Sequence, residues 1–216
     1  MLIHRRQLLA GSVGLTAALA VLPTRAQTKT IPWEKEFDIV IIGSGGAGMA
    51  TAVSALENGL KNILLLEKLS FIGGNTSVAT GSFNTWSPEQ KEQGIIDSPQ
   101  QHAAHTMKGG DFRNNPKLVE LFVNNSYPTF KWLCDMGMQF NPKIALIYGG
   151  LFPRGHYPLN GKGVEYIKVL NKKAKELGGL DLRTSSAVTG IIREGTLEGR
   201  VLGVEYADKD GKLHYI

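Results

Sequence analysis

Cysteine is almost missing from this sequence: Cys134 is the only one in 216 residues. A single thiol excludes an internal disulfide, and no Cys-x-x-Cys-His segment is present to attach a haem. Low-complexity runs are missing too, and 42% hydrophobic with 20% charged residues is the composition of an ordinary folded chain. The amino terminus lacks the unbroken stretch of about 20 apolar residues that crosses a bilayer; its apolar run goes only from Leu8 to Leu22 and stops at Pro23. Excess charge is scarce outside that segment. The formal net charge is +5, but residues 1–26 hold Arg5, Arg6 and Arg25 and no acid, so the remainder is nearly balanced. No basic patch with interleaved aromatics stands out, and nucleic acid is not an expected partner.

The first residues, "MLIHRRQLLAGSVGLTAALAVLPTRAQ", place two arginines before the short apolar run and small residues after it. These flanks match a cleavable signal over residues 1–26. Arg5-Arg6 followed by Gln7-Leu8-Leu9 resembles a twin-arginine signal, whose exporter accepts cargo already folded around a cofactor. An ordinary secretory signal that happens to carry Arg-Arg is the alternative. Either way a bacterial periplasmic location is expected. Residues 27–36, "QTKTIPWEKE", read as a polar linker.

The stretch "FDIVIIGSGGAGMATAVSALENG", residues 37–59, carries the chemistry. Phe37 to Ile42 reads as a buried parallel strand. Gly43, Gly45 and Gly48 then form G-x-G-x-x-G at the opening of a helix expected from Ala47 to Asn58, with Gly59 closing it. Gly43 permits the tight turn, Gly45 lets a pyrophosphate reach the backbone, and Gly48 lets the helix pack on the strand. The amides at that helix start, Ala47 among them, supply donors to phosphate. A second run, Asn62 to Leu66, ends at Glu67, 24 residues after Gly43, where a ribose-binding carboxylate belongs.

Both NAD and FAD use such a unit. An NAD domain would continue into another crossover helix, whereas here "EKLSFIGGNTSVATGSFN" runs from Glu67-Lys68 into Gly73-Gly74-Asn75-Thr76 and then Gly81-Ser82. With that second polar glycine loop, the sequence from Phe37 onward resembles the FAD-binding domain of the fumarate reductase/succinate dehydrogenase flavoprotein family. The likeness extends through "DSPQQHAAHTMKGGDFRNNPKLVELFVNNS", "RGHYPLNGKGV" and "LDLRTSSAVTGIIREG". It is greatest to the soluble periplasmic fumarate reductases of flavocytochrome c type and to urocanate reductases.

The resemblance implies a Rossmann-like α/β fold over residues 37–216, a parallel sheet with flanking helices and a β-meander. It implies that Glu67 binds the adenosine ribose with Lys68 adjacent. Gly74, Asn75 and Thr76 would meet the flavin side, the Gly81-Ser82 backbone would lie close by, and Val188 would contact the adenine through its backbone. Respiratory members attach FAD to a histidine in this loop; Asn75 stands at that position, so non-covalent FAD is implied. A separate cytochrome or quinol-linked electron donor and a small dicarboxylate or similar enoate substrate are implied as partners. In the family a further strand motif, a capping domain and a return segment follow, carrying the substrate-binding groups, so no catalytic residue is assigned here and the expectation is a part not catalytic by itself. A non-catalytic remnant and an NAD-binding dehydrogenase domain are the alternatives.

Elsewhere, residues 98–108 and 116–140 carry helical periodicity, with Leu118, Leu121, Phe122 and Phe130 expected on apolar faces. His102 and His105 are three apart on the first of these helices, a spacing that could bind metal, but no third ligand stands nearby and a solvated face is expected. Trp132, Met136 and Met138 read as core filler. His156 lies in a Gly- and Pro-rich loop, where it either faces a ligand or belongs to the approach to a helix over 164–177. The last residues, from Ala187, read as an antiparallel meander beside the parallel sheet.

Overall fold

A computed structural model describes residues 30–195 and 198–216; the signal expected over residues 1–26 lies outside them. The chain divides into two units, residues 1–31 and 32–216, and every strand and helix described belongs to the second.

Strand β1, Ile39–Ile42, leads through a turn into helix α1, Gly46–Glu57, and back into β2, Ile63–Leu66. The helix stops where Asn58 caps it and Gly59 takes a φ of +91°. Short α2, Gly74–Val78, and the two-residue β3, Phe83–Asn84, follow. Helices α3, Pro99–Gly109, and α4, Pro116–Asp135, precede β4, Gly155–His156, which pairs antiparallel with β3. Helix α5, Val164–Leu177, then crosses to β5, Leu180–Arg183. The strands β1, β2 and β5 pair in parallel in that order, so β2 is central and β1 is an edge. Strands β6 (Ala187–Arg193), β7 (Val201–Ala207) and β8 (Leu213–Tyr215) form an antiparallel meander.

The side chains of β2 explain the layering. Successive residues of a strand face opposite ways, and here both ways are apolar. Ile63 and Leu65 pack with Met49, Val53 and Leu56 of α1 and with Ile167 and Leu170 of α5. Leu64 and Leu66 pack with Val204 and Tyr206 of β7 and with Ile216. The parallel sheet therefore has helices on one face and the meander on the other, rather than a meander extending its edge. Each fully buried Leu or Ile contributes about 1.5–3 kcal/mol, which is the force that draws the meander over Leu64 and Leu66.

Two expectations about the middle of the chain need correction. Helix α4 stops at Asp135, not near residue 140, because Gly137 takes a φ of +97°; Met138 then folds back into the core, where Trp132 and Met136 pack partly buried. The buried stripe of α4 is Val119, Val123, Ser126, Phe130 and Leu133. Of the residues expected on apolar faces only Phe130 is buried, while Leu118, Leu121 and Phe122 are exposed. The stripe follows the 3.6-residue repeat from Val119, and the neighbouring leucines fall outside it. No helix among the described residues is long and apolar enough to cross a membrane.

Candidate functional site

The carboxyl ends of β1 and β2 converge on one turn. After Ile42 the backbone reverses at Gly43, whose φ of +93° suits a residue without a side chain. A Cβ on Gly48 would overlap the Gly43 carbonyl oxygen, so α1 packs on the turn as closely as backbone allows. The first intrahelical bond runs from the Met49 amide to the Gly45 carbonyl. Amides before it have no acceptor within the helix. That of Gly46 donates to Thr76 Oγ1 at 2.9 Å, which leaves those of Ala47 and Gly48 at the positive end of the helix, suited to a phosphate.

Glu67 closes the far side of this turn. It is only 5% exposed, yet it is held as a carboxylate. Its Oε2 accepts from the Ser44 amide at 2.9 Å and the Ser44 hydroxyl at 2.6 Å, and its Oε1 accepts from the Leu69 amide at 2.8 Å. Burial pushes the carboxyl up, but the bonds from Ser44 and Leu69 outweigh it and hold it below its ordinary value. Three of about four acceptor positions are used, so Oε1 keeps one for a ligand hydroxyl. Ser44 also accepts from the Gly73 amide at 3.1 Å, joining the β1 turn to the loop after β2. Ser44 escaped the sequence reading; a hydroxyl inside G-x-G, facing the terminal acid of the next strand, is the signal for it.

The remaining expected residues are distributed around this network. The Ser186 amide donates to the Glu67 carbonyl at 2.8 Å, which brings Val188 of β6 to the same neighbourhood. Pairing with β7 shifts between Val188 and Gly190, a bulge of the sort that interrupts a ladder and re-aims its backbone. Lys68 and Asn75 are exposed and Gly74 is half-buried. Thr76 is engaged with the start of α1. The Gly81 carbonyl accepts from the Tyr166 hydroxyl at 2.7 Å, so α5 positions the Gly81-Ser82 backbone. Ser77 Oγ and Ser82 Oγ are buried without partners along this stretch. Unpaired buried polar atoms are costly, and a polar group lying along α2 and β3 would satisfy them; the residues present fit a dinucleotide.

A second polar cluster lies away from the glycine turn. Asp97 and Arg154 form a buried two-point pair, Nε to Oδ2 and Nη2 to Oδ1 both at 2.6 Å, with Gln90 Nε2 at 3.2 Å from Asp97 Oδ2. Burial raises the Asp97 carboxyl, but Arg154, the Ser98 amide and Gln90 bring it below its ordinary value. His105 Nδ1 lies 3.3 Å from Arg154 Nη2. His102 corrects the expectation of a solvated face: it is buried, edge-on to Phe122 at 5.4 Å, and burial followed by the Arg154 charge depresses it to about 4. Among the described residues no three His, Cys, Asp or Glu side chains gather as a metal site. His156 is likewise buried, 4.6 Å from the Phe130 ring, with Nε2 unpartnered and its pKa shifted down by burial, which favours the neutral ring. It stands in an aromatic core, and with Cys134 it lines a small cleft of about 220 Å³. Burial pushes the Cys134 thiol up, so it is no ready nucleophile.

The sequence profile of the FAD binding domain family matches residues 38–216. A fumarate reductase (cytochrome) from Shewanella frigidimarina is 35% identical over 167 residues, covering 75% of this chain and 29% of that protein. A urocanate reductase from Eggerthella lenta is 32% identical over 174 residues, covering 79% of this chain and 28% of that one. Among solved structures, the open conformation of a flavocytochrome c3 fumarate reductase superposes with a TM-score of 0.77 at 28% identity, covering 86% of this chain and 32% of its own. The chain thus spans under a third of the length of each of these relatives. The parallel sheet and its glycine turn are those of flavoproteins, and of the two dinucleotides that the glycine pattern admitted it is FAD that the match selects: the chain belongs to the FAD binding domain family.

Proposed function

We propose that this chain forms the FAD-binding part of an exported oxidoreductase that reduces carbon–carbon double bonds conjugated to an acid group. The observation that carries the reading is the joint one of a Ser44-Glu67 network at the end of β2 and likeness to reductases of fumarate and urocanate, both unsaturated acids. Bound FAD supplies hydride chemistry, and the protein supplies orientation. Ala47 and Gly48 amides hold the pyrophosphate, with Gly43 and Gly45 permitting its approach. Glu67 accepts from the ribose, with Lys68 beside it, and the Val188 backbone meets the adenine. Gly74, Asn75, Gly81 and Ser82 border the flavin, while Thr76 acts one step back by pinning α2 to the start of α1.

An asparagine at position 75 has no imidazole nitrogen to bond a flavin methyl carbon, so the cofactor is held without a covalent link. Arg5 and Arg6 fit twin-arginine export to the periplasm, where a separate cytochrome or quinol-linked protein would deliver electrons. The test begins with the purified protein. It should be yellow, and acid precipitation should leave all flavin in the supernatant; flavin retained in the pellet overturns the non-covalent reading. Anaerobic assay of the whole protein that contains this chain should then show reduced viologen oxidised on adding fumarate or urocanate. FAD bound with no oxidation by any unsaturated acid would make the chain a binding module without this chemistry.

A further inference from the structure

The polar cluster of α3 and the segment leading into β4 is unused by the dinucleotide reading, and it surrounds a cleft. Asn84 of β3, His102 and His105 of α3, and Arg154 contribute to a cavity of about 190 Å³. Arg154 and His102 are buried, whereas Gly149 and Leu151 on the same cleft are exposed, so it opens to solvent on one side.

The hydrogen-bond inventory has a surplus facing nothing. Arg154 spends Nε and Nη2 on Asp97, and Nη2 also lies 3.3 Å from His105 Nδ1. A guanidinium only donates. His105 Nδ1 is therefore the acceptor and the ring proton sits on Nε2, a second donor. Arg154 Nη1 has no acceptor among the described residues. Asn84 Oδ1 and His102 Nδ1 are buried without partners, and exchanging the two ends of the Asn84 amide turns that unpaired acceptor into a donor. A carboxylate offers about four acceptor positions in one plane, which suits a guanidinium edge and adjacent N–H groups. The cavity bounds the size. At about 30 Å³ per water it holds a few heavy atoms, too few for a nucleotide or a peptide. Asp97 already balances the Arg154 charge, so the binding is by hydrogen bonds to a shared cation and is weak.

We propose that this cleft is a binding subsite for a small carboxylate, held by Arg154, His105 and Asn84. Asn84 lies two residues beyond Ser82, so the subsite would give the proposed reductase a hold on its substrate's acid group. To that extent it rests on that reading; the binding itself does not.

The experiment uses the FAD-loaded protein with nitrogen-15 in its histidine rings, at constant ionic strength set with chloride. Propionate and acrylate should shift the His102 and His105 ring signals saturably and leave His214 unmoved, while propionamide, of the same shape without charge, should shift none of them. Asn84→Ala and His105→Gln should each weaken propionate about tenfold, the scale of one charge-assisted bond, with circular dichroism unchanged. Absence of a saturable shift, equal shifts with propionamide, or unaltered affinity in both folded variants overturns the proposal and leaves the cleft to water. Loss of FAD from the parent protein is read separately from its visible absorbance and would count against the flavin reading alone.

Discussion

At the scale of single residues, Glu67 has a structural task and a proposed ligand-binding one, which two measurements on one substitution read separately. Its carboxylate anchors Ser44 and Leu69 and keeps one acceptor position, the one proposed for the ribose. Glu67→Gln should weaken FAD by about 1–3 kcal/mol, measured by flavin fluorescence titration, and should also lower the melting temperature without FAD, because an amide N–H then faces a donor. His102 predicts a pH effect with a definite sign. Its folded value of about 4 lies below the ordinary 6.5, so the unfolded chain binds the proton first. The stability it contributes is complete above pH 6.5 and is lost as pH falls toward 4, by roughly 3 kcal/mol at 1.36 kcal/mol per unit. Thermal unfolding from pH 7.5 to 4.5 should fall less steeply in His102→Gln than in the parent. Arg154→Ala should be the costliest of these changes, about 3–5 kcal/mol by chemical denaturation, since it leaves the buried Asp97 charge without its cation.

At the scale of elements, the start of α1 is the critical junction. Gly48→Ala would drive a methyl group into the Gly43 carbonyl and push the helix off its strand. The expected cost is about 1–3 kcal/mol of stability, with FAD affinity falling in parallel because the phosphate amides move with the helix. Unchanged affinity in a destabilised variant would mean that the amides of α1 are not the phosphate donors. The end of α1 and the start of α4 were legible in the sequence from Gly59 and from Pro116. The end of α4 was not, because apolar residues continue past Asp135 and only the backbone angle at Gly137 marks the break. The exposed Leu118, Leu121 and Phe122 were misjudged for a similar reason: several apolar stripes can be drawn on that helix, and packing selects the one through Val119 and Phe130.

At the scale of the whole molecule, the described residues form three layers, and the proposed export signal lies in the residues before them. Replacing Arg5 and Arg6 together by lysine should keep the protein in the cytoplasm, as read by fractionation, because lysine retains the charge but lacks the planar guanidinium a receptor can read. Periplasmic delivery of that double variant would point to the ordinary secretory route. The mature protein from both versions should bind FAD equally.

The sequence alone determined the dinucleotide turn, the two strands it joins and the acid that faces it. These are local features, each dictated by residue type at fixed short spacing: glycine where no Cβ fits, an apolar run, a carboxylate at the strand end. Only the tertiary structure decided which face of the sheet the meander covers, that Ser44 rather than solvent holds Glu67, and that His102, His105 and Arg154 share one cleft. Arg154 lies 57 residues from Asp97, and no periodicity links positions so far apart. Their meeting follows from how α3 and the segment before β4 pack together, which is a matter of volume and burial across the fold rather than of order along the chain.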